Sequence, residues 1–200
     1  MPSNPDLCPP LTRRRMACAL LAAACAASFA PWSRAQSGAF EDLDVPYVTT
    51  PQNVVDAMLE LAGVTANDVL LDLGSGDGRV VITAAQRFGT RGTGIEIDPR
   101  LIAQARAGAH AAGVTGRTNF LEQDLYATDL GGATVITLYL LPAVNLKLRP
   151  MLQKLKPGTR IVSHDWDMGD WQPDRSVVVP APEKKIGLAK TSKLMLWIVR

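Results

Sequence analysis

The amino-acid sequence predicts an α/β fold in which a mostly parallel β-sheet is covered by helices on both faces. Short apolar runs alternate with stretches of helical periodicity along residues 51–166, which is the pattern of strand–helix–strand units. Of the 200 residues, 47% are hydrophobic and 20% are charged, a composition typical of a folded protein. This length predicts one domain, or one domain with an extension.

The first predicted helix begins at Pro51 after a capping Thr50, and apolar residues then recur at helical spacing. A short apolar run over residues 69–73 follows, and Gly74 ends it as expected for a buried parallel strand. The next predicted elements are a helix, a strand, a helix and a strand, which span residues 80–88, 92–97, 99–112 and 118–121.

The second half of the chain continues the same alternation. A strand over residues 133–140 precedes a helix over 142–155, and a Lys-Pro-Gly turn then leads into a strand over 159–163. Residues 176–179 and 194–199 are predicted to pair as a C-terminal antiparallel hairpin.

Residues 1–35 have the pattern of a targeting segment. Three consecutive arginines precede an uncharged run over residues 16–30, and the small residues Ser33 and Ala35 follow. This pattern predicts a secretory signal peptide that is cleaved after Ala35, and the arginines resemble a twin-arginine export signal. We therefore expect export to the periplasm. An uncleaved segment that anchors the protein to a membrane, an organelle presequence and a cytoplasmic location stay open as alternatives.

Charge and cysteine content argue against several classes of function. The formal net charge is +2, and the basic excess lies in the targeting segment, so the remainder does not resemble a general nucleic-acid-binding protein. The cysteines Cys8, Cys18 and Cys25 all lie in that segment as well. The body of the chain therefore cannot use a disulfide framework, a thiolate zinc site or a cysteine nucleophile, and we expect no metal site.

The segment VLLDLGSGDGR, residues 69–79, carries the strongest functional signal. A strand runs directly into Gly-Ser-Gly-Asp-Gly, where glycines let the backbone turn sharply and approach a ligand closely. The GxGxG spacing differs from the GxGxxG of a dinucleotide site, and the carboxylates of Asp72 and Asp77 would repel a pyrophosphate. Glu96 follows Gly74 by 22 residues, close to the spacing at which a carboxylate meets ribose hydroxyls. These features predict a cationic nucleoside ligand without phosphate, S-adenosylmethionine.

Six segments carry a resemblance to known families. VLLDLGSGDGR, GIEIDP and FLEQDL resemble motifs of the class I S-adenosylmethionine-dependent methyltransferases, and they lie at residues 69–79, 94–99 and 120–125. More narrowly, PYVTTPQNVVDAML, TLYLLP and RIVSHDWDMGDW resemble a family of lysine methyltransferases, and they lie at residues 46–59, 137–142 and 160–171. The eukaryotic members of that family modify the ATP synthase c subunit and the adenine nucleotide translocase.

The resemblance implies a Rossmann-like class I methyltransferase fold, with a twisted seven-stranded sheet that is mostly parallel and has a C-terminal antiparallel hairpin. Residues 36–50 would form a linker and lid, and residues 51–200 the methyltransferase domain. S-adenosylmethionine would be the cofactor and a protein lysine the methyl acceptor. A small-molecule N- or O-methyltransferase and a noncatalytic cofactor-binding module stay open. TLYLLP differs from an Asn/Asp-Pro-Pro-Tyr motif, which argues against methylation of nucleobase amino groups.

The same resemblance implies roles for individual residues. Asp72, Gly74, Ser75 and Gly76 would surround the methionine end of the cofactor, and Glu96 would accept both ribose hydroxyls.

Three further residues would complete the cofactor site. Asp124 would accept a hydrogen bond from the adenine amino group, and Tyr47 and Thr50 would form part of a lid. For each residue a structural role stays open: Asp124 as a loop cap, Thr50 as a helix cap, and Tyr47 as a packed aromatic.

Candidates to face the transferred methyl are Tyr139, Asn145, His164 and Asp165, because ligands bind beyond the carboxyl ends of parallel strands. His164 or Tyr139 could relay the proton that the acceptor loses. Residues 164–174 contain four aspartates and two tryptophans, which suits a cationic amine through charge attraction and cation–π contact. A solvated acidic loop with two core tryptophans is the alternative.

Overall fold

The computed structural model describes residues 47–185 and 189–200 of the protein, and these residues belong to one compact unit. The predicted signal peptide and residues 36–46 of the predicted linker lie outside the described residues. Within the described ranges, no helix combines the length and the apolar character that crossing a membrane requires.

Seven β-strands of the described ranges form a single sheet: β1 Val69–Leu73, β2 Arg91–Glu96, β3 Thr118–Glu122, β4 Val135–Leu138, β5 Arg160–His164, β6 Arg175–Pro180 and β7 Thr191–Ile198. Their order across the sheet is β3-β2-β1-β4-β5-β7-β6. Strands β1 to β5 run parallel, whereas β7 is antiparallel to both of its neighbours. The predicted α/β class, the mostly parallel sheet and the C-terminal antiparallel pair are confirmed. The strand order reverses between β1 and β4, where open α/β sheets bind ligands.

Four α-helices of the described ranges cover the sheet: α1 Gln52–Leu61, α2 Arg79–Phe88, α3 Pro99–Ala111 and α4 Pro142–Leu152. Helices α1, α2 and α3 contribute Val54, Val81 and Ile102 to one buried cluster. Helix α4 contributes Leu148 to a second cluster, which also holds the fully buried Trp197 of β7. The two clusters bury β1 and β4 on both faces, which explains the continuous apolar sequences of these strands.

Several boundaries differ from the prediction, and β7 begins at Thr191 instead of at residue 194. Thr50 does not cap α1, because the carbonyl of Pro51 accepts the first two helical bonds at 3.0 Å each. Strand β4 is shorter than predicted because Leu141 already caps α4, so the chain leaves the sheet after Leu138. Helix α4 ends early, at Leu152, where the backbone bonds tighten from i→i−4 to i→i−3.

Candidate active site

The glycine loop between β1 and α2 lies at the carboxyl edge of the sheet, where the strand order reverses. Gly74 and Gly76 have φ values of 75° and 53°, a region that favours glycine. A Cβ atom on Gly74 would lie 2.7 Å from Cδ2 of Leu140, and one on Gly76 would overlap the ring of Tyr47. The loop therefore needs glycine at both positions, for its backbone angles and for its close contacts.

Asp72 is a buried carboxyl group at the end of β1. Its Oδ1 accepts a hydrogen bond of 2.6 Å from the hydroxyl of Thr137, its paired residue on β4. Burial raises the pKa of Asp72 to about 7; the Thr137 hydrogen bond opposes the rise, and the nearby charges of Glu96 and Asp77 add to it. A cation placed beside Asp72 would favour its ionised form, so this site suits a positively charged ligand.

Glu96 ends β2 and is oriented by backbone amides. The amide of Gly76 donates to Oε2 at 2.9 Å, and the amides of Ile97 and Asp98 donate to Oε1 at 2.8 and 3.0 Å. These bonds hold the carboxylate against the glycine loop. Oε2 keeps a further lone pair that can accept a hydroxyl, whereas the two amide bonds already occupy both lone pairs of Oε1.

Ser75 lies between these two carboxylates in the chain, on the glycine loop. Its hydroxyl oxygen is buried and has no hydrogen-bond partner among the described residues. A Cβ on the neighbouring Gly94 would lie 2.5 Å from that oxygen, so only glycine leaves room for it. A buried hydroxyl without a partner is uncommon in proteins and is consistent with a ligand-binding site.

The two predicted lid residues contact different parts of the site. The Tyr47 hydroxyl accepts a bond of 3.2 Å from the amide of Asp77, and its ring covers Gly76. Thr50 is buried, and its hydroxyl oxygen lies 3.5 Å from Nδ1 of His164. The short segment 47–50 thus extends from the glycine loop to the end of β5.

Arg79, which was not among the predicted site residues, links segment 47–50 to the glycine loop. Its Nη1 donates to the carbonyl of Thr50 at 2.7 Å, while Nε and Nη2 donate to the Asp77 carboxylate at 2.9 and 2.5 Å. An acid inside the glycine loop followed two residues later by an arginine is the sequence signal that could have indicated this ion pair. Because Arg79 compensates Asp77, the predicted repulsion of phosphate depends instead on Asp72 and Glu96.

Asp124 follows β3 and caps a short 3-10 helix, Leu125–Ala127, that was not predicted. Its Oδ1 accepts a bond of 2.8 Å from the amide of Tyr126. This is the capping role that the sequence left open. Its predicted contact with adenine stays a prediction.

Tyr139 and His164 follow β4 and end β5, and their rings stack with centroids 3.9 Å apart. His164 is fully buried, and its Nε2 lies 2.7 Å from the hydroxyl of Ser192. Burial lowers the pKa of His164 to about 4; the Asp165 charge opposes this and the Lys184 charge adds to it, so the ring is neutral at pH 7.

Asp165 has an unusual backbone conformation and an ion-pair partner. It is the single non-glycine residue in the described ranges with a positive φ, 63°. Its Oδ2 lies 2.7 Å from Nζ of Lys184 and 3.4 Å from Nε2 of His164. The predicted acidic residue therefore already faces an ammonium group of the same chain.

Asn145 is fully buried on α4 beside the loop that follows β5. Its Nδ2 donates to the hydroxyl of Ser163 at 3.3 Å and to the carbonyls of Trp166 and Asp167 at 3.2 and 3.3 Å. These bonds hold that loop in place. In the part of the chain that the structure describes, no three His, Cys, Asp or Glu side chains converge as metal ligands would.

Residues 72–175 match the profile of the ANTKMT methyltransferase domain. The chain belongs to this methyltransferase family. The predicted family, the class I fold and the dependence on S-adenosylmethionine are thereby confirmed.

Three relatives show how far this similarity extends. The methyltransferase is 45% identical over 137 residues to a protein-lysine N-methyltransferase of Saccharolobus islandicus, covering 68% of this chain and 85% of that one. It is 34% identical over 132 residues to the adenine nucleotide translocase lysine N-methyltransferase of Mus musculus, but 66% of this chain spans only 57% of the mouse protein. A crystal structure of an RNA methyltransferase from Salinibacter ruber, in complex with S-adenosyl-L-homocysteine, is 52% identical with a TM-score of 0.70, covering 76% and 94% of the two chains.

The residues at this edge fit the cofactor of the family. Bound S-adenosylmethionine supplies a methyl group on a positively charged sulfur. Asp72 would balance positive charge, Oε2 of Glu96 would accept a hydroxyl group, and the buried Ser75 hydroxyl could gain a hydrogen-bond partner. Gly74 and Gly76 would let the backbone approach the ligand.

The methyltransferase brings the predicted residues to one edge of the sheet. The predicted cofactor residues lie at the ends of β1 and β2, just after β3 and in the segment before α1, while Tyr139, His164 and Asp165 lie at the ends of β4 and β5. Their individual roles toward cofactor and acceptor stay predictions.

Proposed function

We propose that the methyltransferase transfers a methyl group from S-adenosylmethionine to the ε-amino group of a lysine in a protein. The observation that carries this proposal is the ion pair of Asp165 with an ammonium group, at the sheet edge that also holds the cofactor residues. The 45% identity to a protein-lysine N-methyltransferase over most of that relative's length supports the same acceptor.

In this mechanism the acceptor amine must lose a proton before it attacks the methyl group. From a reference pKa near 10.4 to pH 7, that loss costs roughly 4–5 kcal/mol. Both ring nitrogens of His164 already face hydroxyl groups, those of Thr50 and Ser192. We therefore propose that Tyr139 faces the acceptor and passes the proton to water, while His164 positions the Tyr139 ring.

The rest of the proposed rate enhancement comes from holding the acceptor and the methyl donor in fixed relative positions. Tyr139 and Asp165 directly follow neighbouring parallel strands, and Asp72 and Glu96 lie in the last two residues of the next two strands across the sheet. Strand ends held in one ladder fix the acceptor and the methyl donor relative to each other. Effective concentrations gained in this way account for a large share of the rate in many enzymes.

An RNA acceptor is the second candidate, because the 52%-identical structure is described as an RNA methyltransferase. The two proposals are separated by incubating the enzyme with methyl-labelled S-adenosylmethionine and either the protein or the RNA fraction of a lysate. We expect label that protease releases and ribonuclease does not, and its loss when the labelled lysine is replaced by arginine. Label confined to RNA or to small metabolites would refute a lysine acceptor.

Two variants control this assay. Glu96→Ala is expected to abolish labelling, because it removes the carboxylate held against the glycine loop. Glu122 pairs with Glu96 on the adjacent strand β3 and is exposed, so Glu122→Ala is the matched control and should label normally.

The targeting segment leads to a separate proposal, that the enzyme is exported by a signal peptide cleaved after Ala35. S-adenosylmethionine is made in the cytoplasm, so an exported enzyme would carry its ligand out already bound. Sequencing the N-terminus of the mature protein tests this. An intact Met1 would exclude cleavage.

A further inference from the structure

We propose that Asp165 and the carbonyl of Thr191 form a binding site for a primary ammonium group, which Lys184 fills until the acceptor lysine takes its place. This inference rests on the proposed function, because it names how the acceptor would be recognised. The chemical class of the ligand is an alkylammonium ion.

The location of this site follows from the sheet topology. Strand β5 ends at His164, and the antiparallel β7 begins at Thr191, so the turn before β7 lies at the carboxyl edge of the parallel strands. The Tyr139 ring stacks on His164, whose Nε2 is 3.4 Å from Oδ2 of Asp165. The site therefore adjoins the residue that we propose faces the acceptor.

Asp165 is held in place before any ligand arrives. Its amide donates to the carbonyl of Lys193 at 2.7 Å, and its Oδ1 accepts from the amide of Lys193 at 3.0 Å. These two bonds help to maintain the left-handed backbone of Asp165, which a non-glycine residue adopts only when its surroundings enforce it. They direct Oδ2 toward the Lys184 ammonium, 2.7 Å away.

Lys184 binds this site as a free alkylammonium ion would. Its Nζ donates to Oδ2 of Asp165 and to the carbonyl of Thr191, the latter at 2.9 Å. The side chains of Lys184 and Asp165 are only 12% and 15% exposed, so the pair is largely shielded from water.

Shielding makes the site selective for another ammonium group. If Lys184 left without replacement, the Asp165 carboxylate would be largely buried without a counter-charge, which is unfavourable. An acceptor lysine restores both the charge and the N–H donors, whereas a hydroxyl or a nucleobase restores only hydrogen bonds. The exchange therefore favours primary amines, and Lys184 weakens their binding by competition.

The experiment titrates n-butylammonium chloride into the full-length protein, monitored by amide NMR shifts. We expect Lys184→Met to bind butylammonium at least fivefold more tightly than the natural protein, because the competitor is gone and an aliphatic side chain of similar length remains. The exposed neighbour Lys185 provides the control, and Lys185→Met should bind as the natural protein does. Adding Asp165→Asn to Lys184→Met should abolish the gain. Tetramethylammonium, which has no N–H donor, should not compete.

Two results would overturn the inference: equal butylammonium affinity of Lys184→Met and the natural protein, or undiminished binding after Asp165→Asn. Binding of S-adenosylhomocysteine verifies that each variant is folded. If Lys184→Met fails that check, Lys184→Gln keeps a donor for Asp165 and should show the same gain on a smaller scale. The titration measures ammonium binding and needs no methyl transfer. A failure to label protein would therefore refute the proposed function, whereas the proposed ammonium site is tested by the titration alone.

Discussion

The pKa of about 7 at Asp72 predicts that cofactor binding depends on pH. The sign follows from charge: a positive ligand beside Asp72 favours the carboxylate, so binding releases a proton wherever Asp72 is protonated in the free enzyme. Affinity should therefore rise with pH up to about 7. If only the ionised form binds, the ionised fraction rises from about 3% at pH 5.5 to about 50% at pH 7.0, a gain of about 16-fold or 1.6 kcal/mol.

Isothermal titration of S-adenosylmethionine at pH 5.5, 6.0, 6.5 and 7.0 measures this effect. The range stays below the pKa of an ordinary α-amino group, near 7.7–8.0, so the amino group of the ligand keeps its charge. Repeating each titration in buffers with different ionisation enthalpies counts the protons released, and we expect nearly one at pH 5.5.

Asp72→Asn should weaken binding at pH 7.0 and remove most of the pH dependence, whereas the exposed Asp129→Asn should leave both unchanged. Asparagine can still accept the Thr137 hydrogen bond, so the fold is expected to persist. A natural enzyme with equal affinity at pH 5.5 and 7.0, or an Asp72→Asn variant with an undiminished slope, would refute the assignment of this dependence to Asp72.

Three further predictions concern the surroundings of the site. Arg79→Lys removes the two guanidinium N–H groups that donate to Asp77, so it should raise the Km for S-adenosylmethionine about fivefold or more without changing the Km for the acceptor. Arg87→Lys, at an exposed arginine that also forms an ion pair, serves as the control. An equal rise in both Km values would contradict a role of Arg79 at the lid. Gly76→Ala should cost about 1–2 kcal/mol in urea unfolding, because its φ is 53° and its new methyl group would displace Tyr47. A variant as stable as the natural protein would show that the loop adapts. His164 has a lowered pKa, so its contribution to stability is fully present above about pH 6.5 and decreases as the pH falls toward 4. His164→Gln should flatten that part of the stability profile, measured as urea midpoints, and an unchanged profile would assign the acid sensitivity to other groups.

The shared position of Gly74, Gly76 and Glu96 at one edge of the sheet was predictable, because these residues lie close together in the sequence. Gly74 and Gly76 lie in one loop directly after a strand, and Glu96 ends the next strand at a spacing that the strand–helix–strand unit fixes. Local patterns determine such geometry, so the positions of these carboxylates and glycines followed from spacing and residue type, while their contacts with the cofactor stay predictions.

Contacts between distant segments were not predictable in the same way. Arg79 reaches the carbonyl of Thr50, and Lys184 reaches Asp165, only because the sheet brings those segments together. The role of Asp124 as a cap was an open alternative, since a loop aspartate can bind its own backbone or a ligand. The register of the sheet decides such pairings, and a single sequence does not reveal it.

The position of β7 has a consequence for synthesis on the ribosome. Among the described strands β7 comes last in sequence order, yet it lies inside the sheet between β5 and β6 and carries the fully buried Trp197. Until β7 has been synthesised, the outer edge of β5 stays unpaired and the apolar layer beneath α4 stays incomplete. The core of the domain is therefore completed only once β7 has emerged from the ribosome, and until then exposed strand edges are open to chaperones or to misassembly.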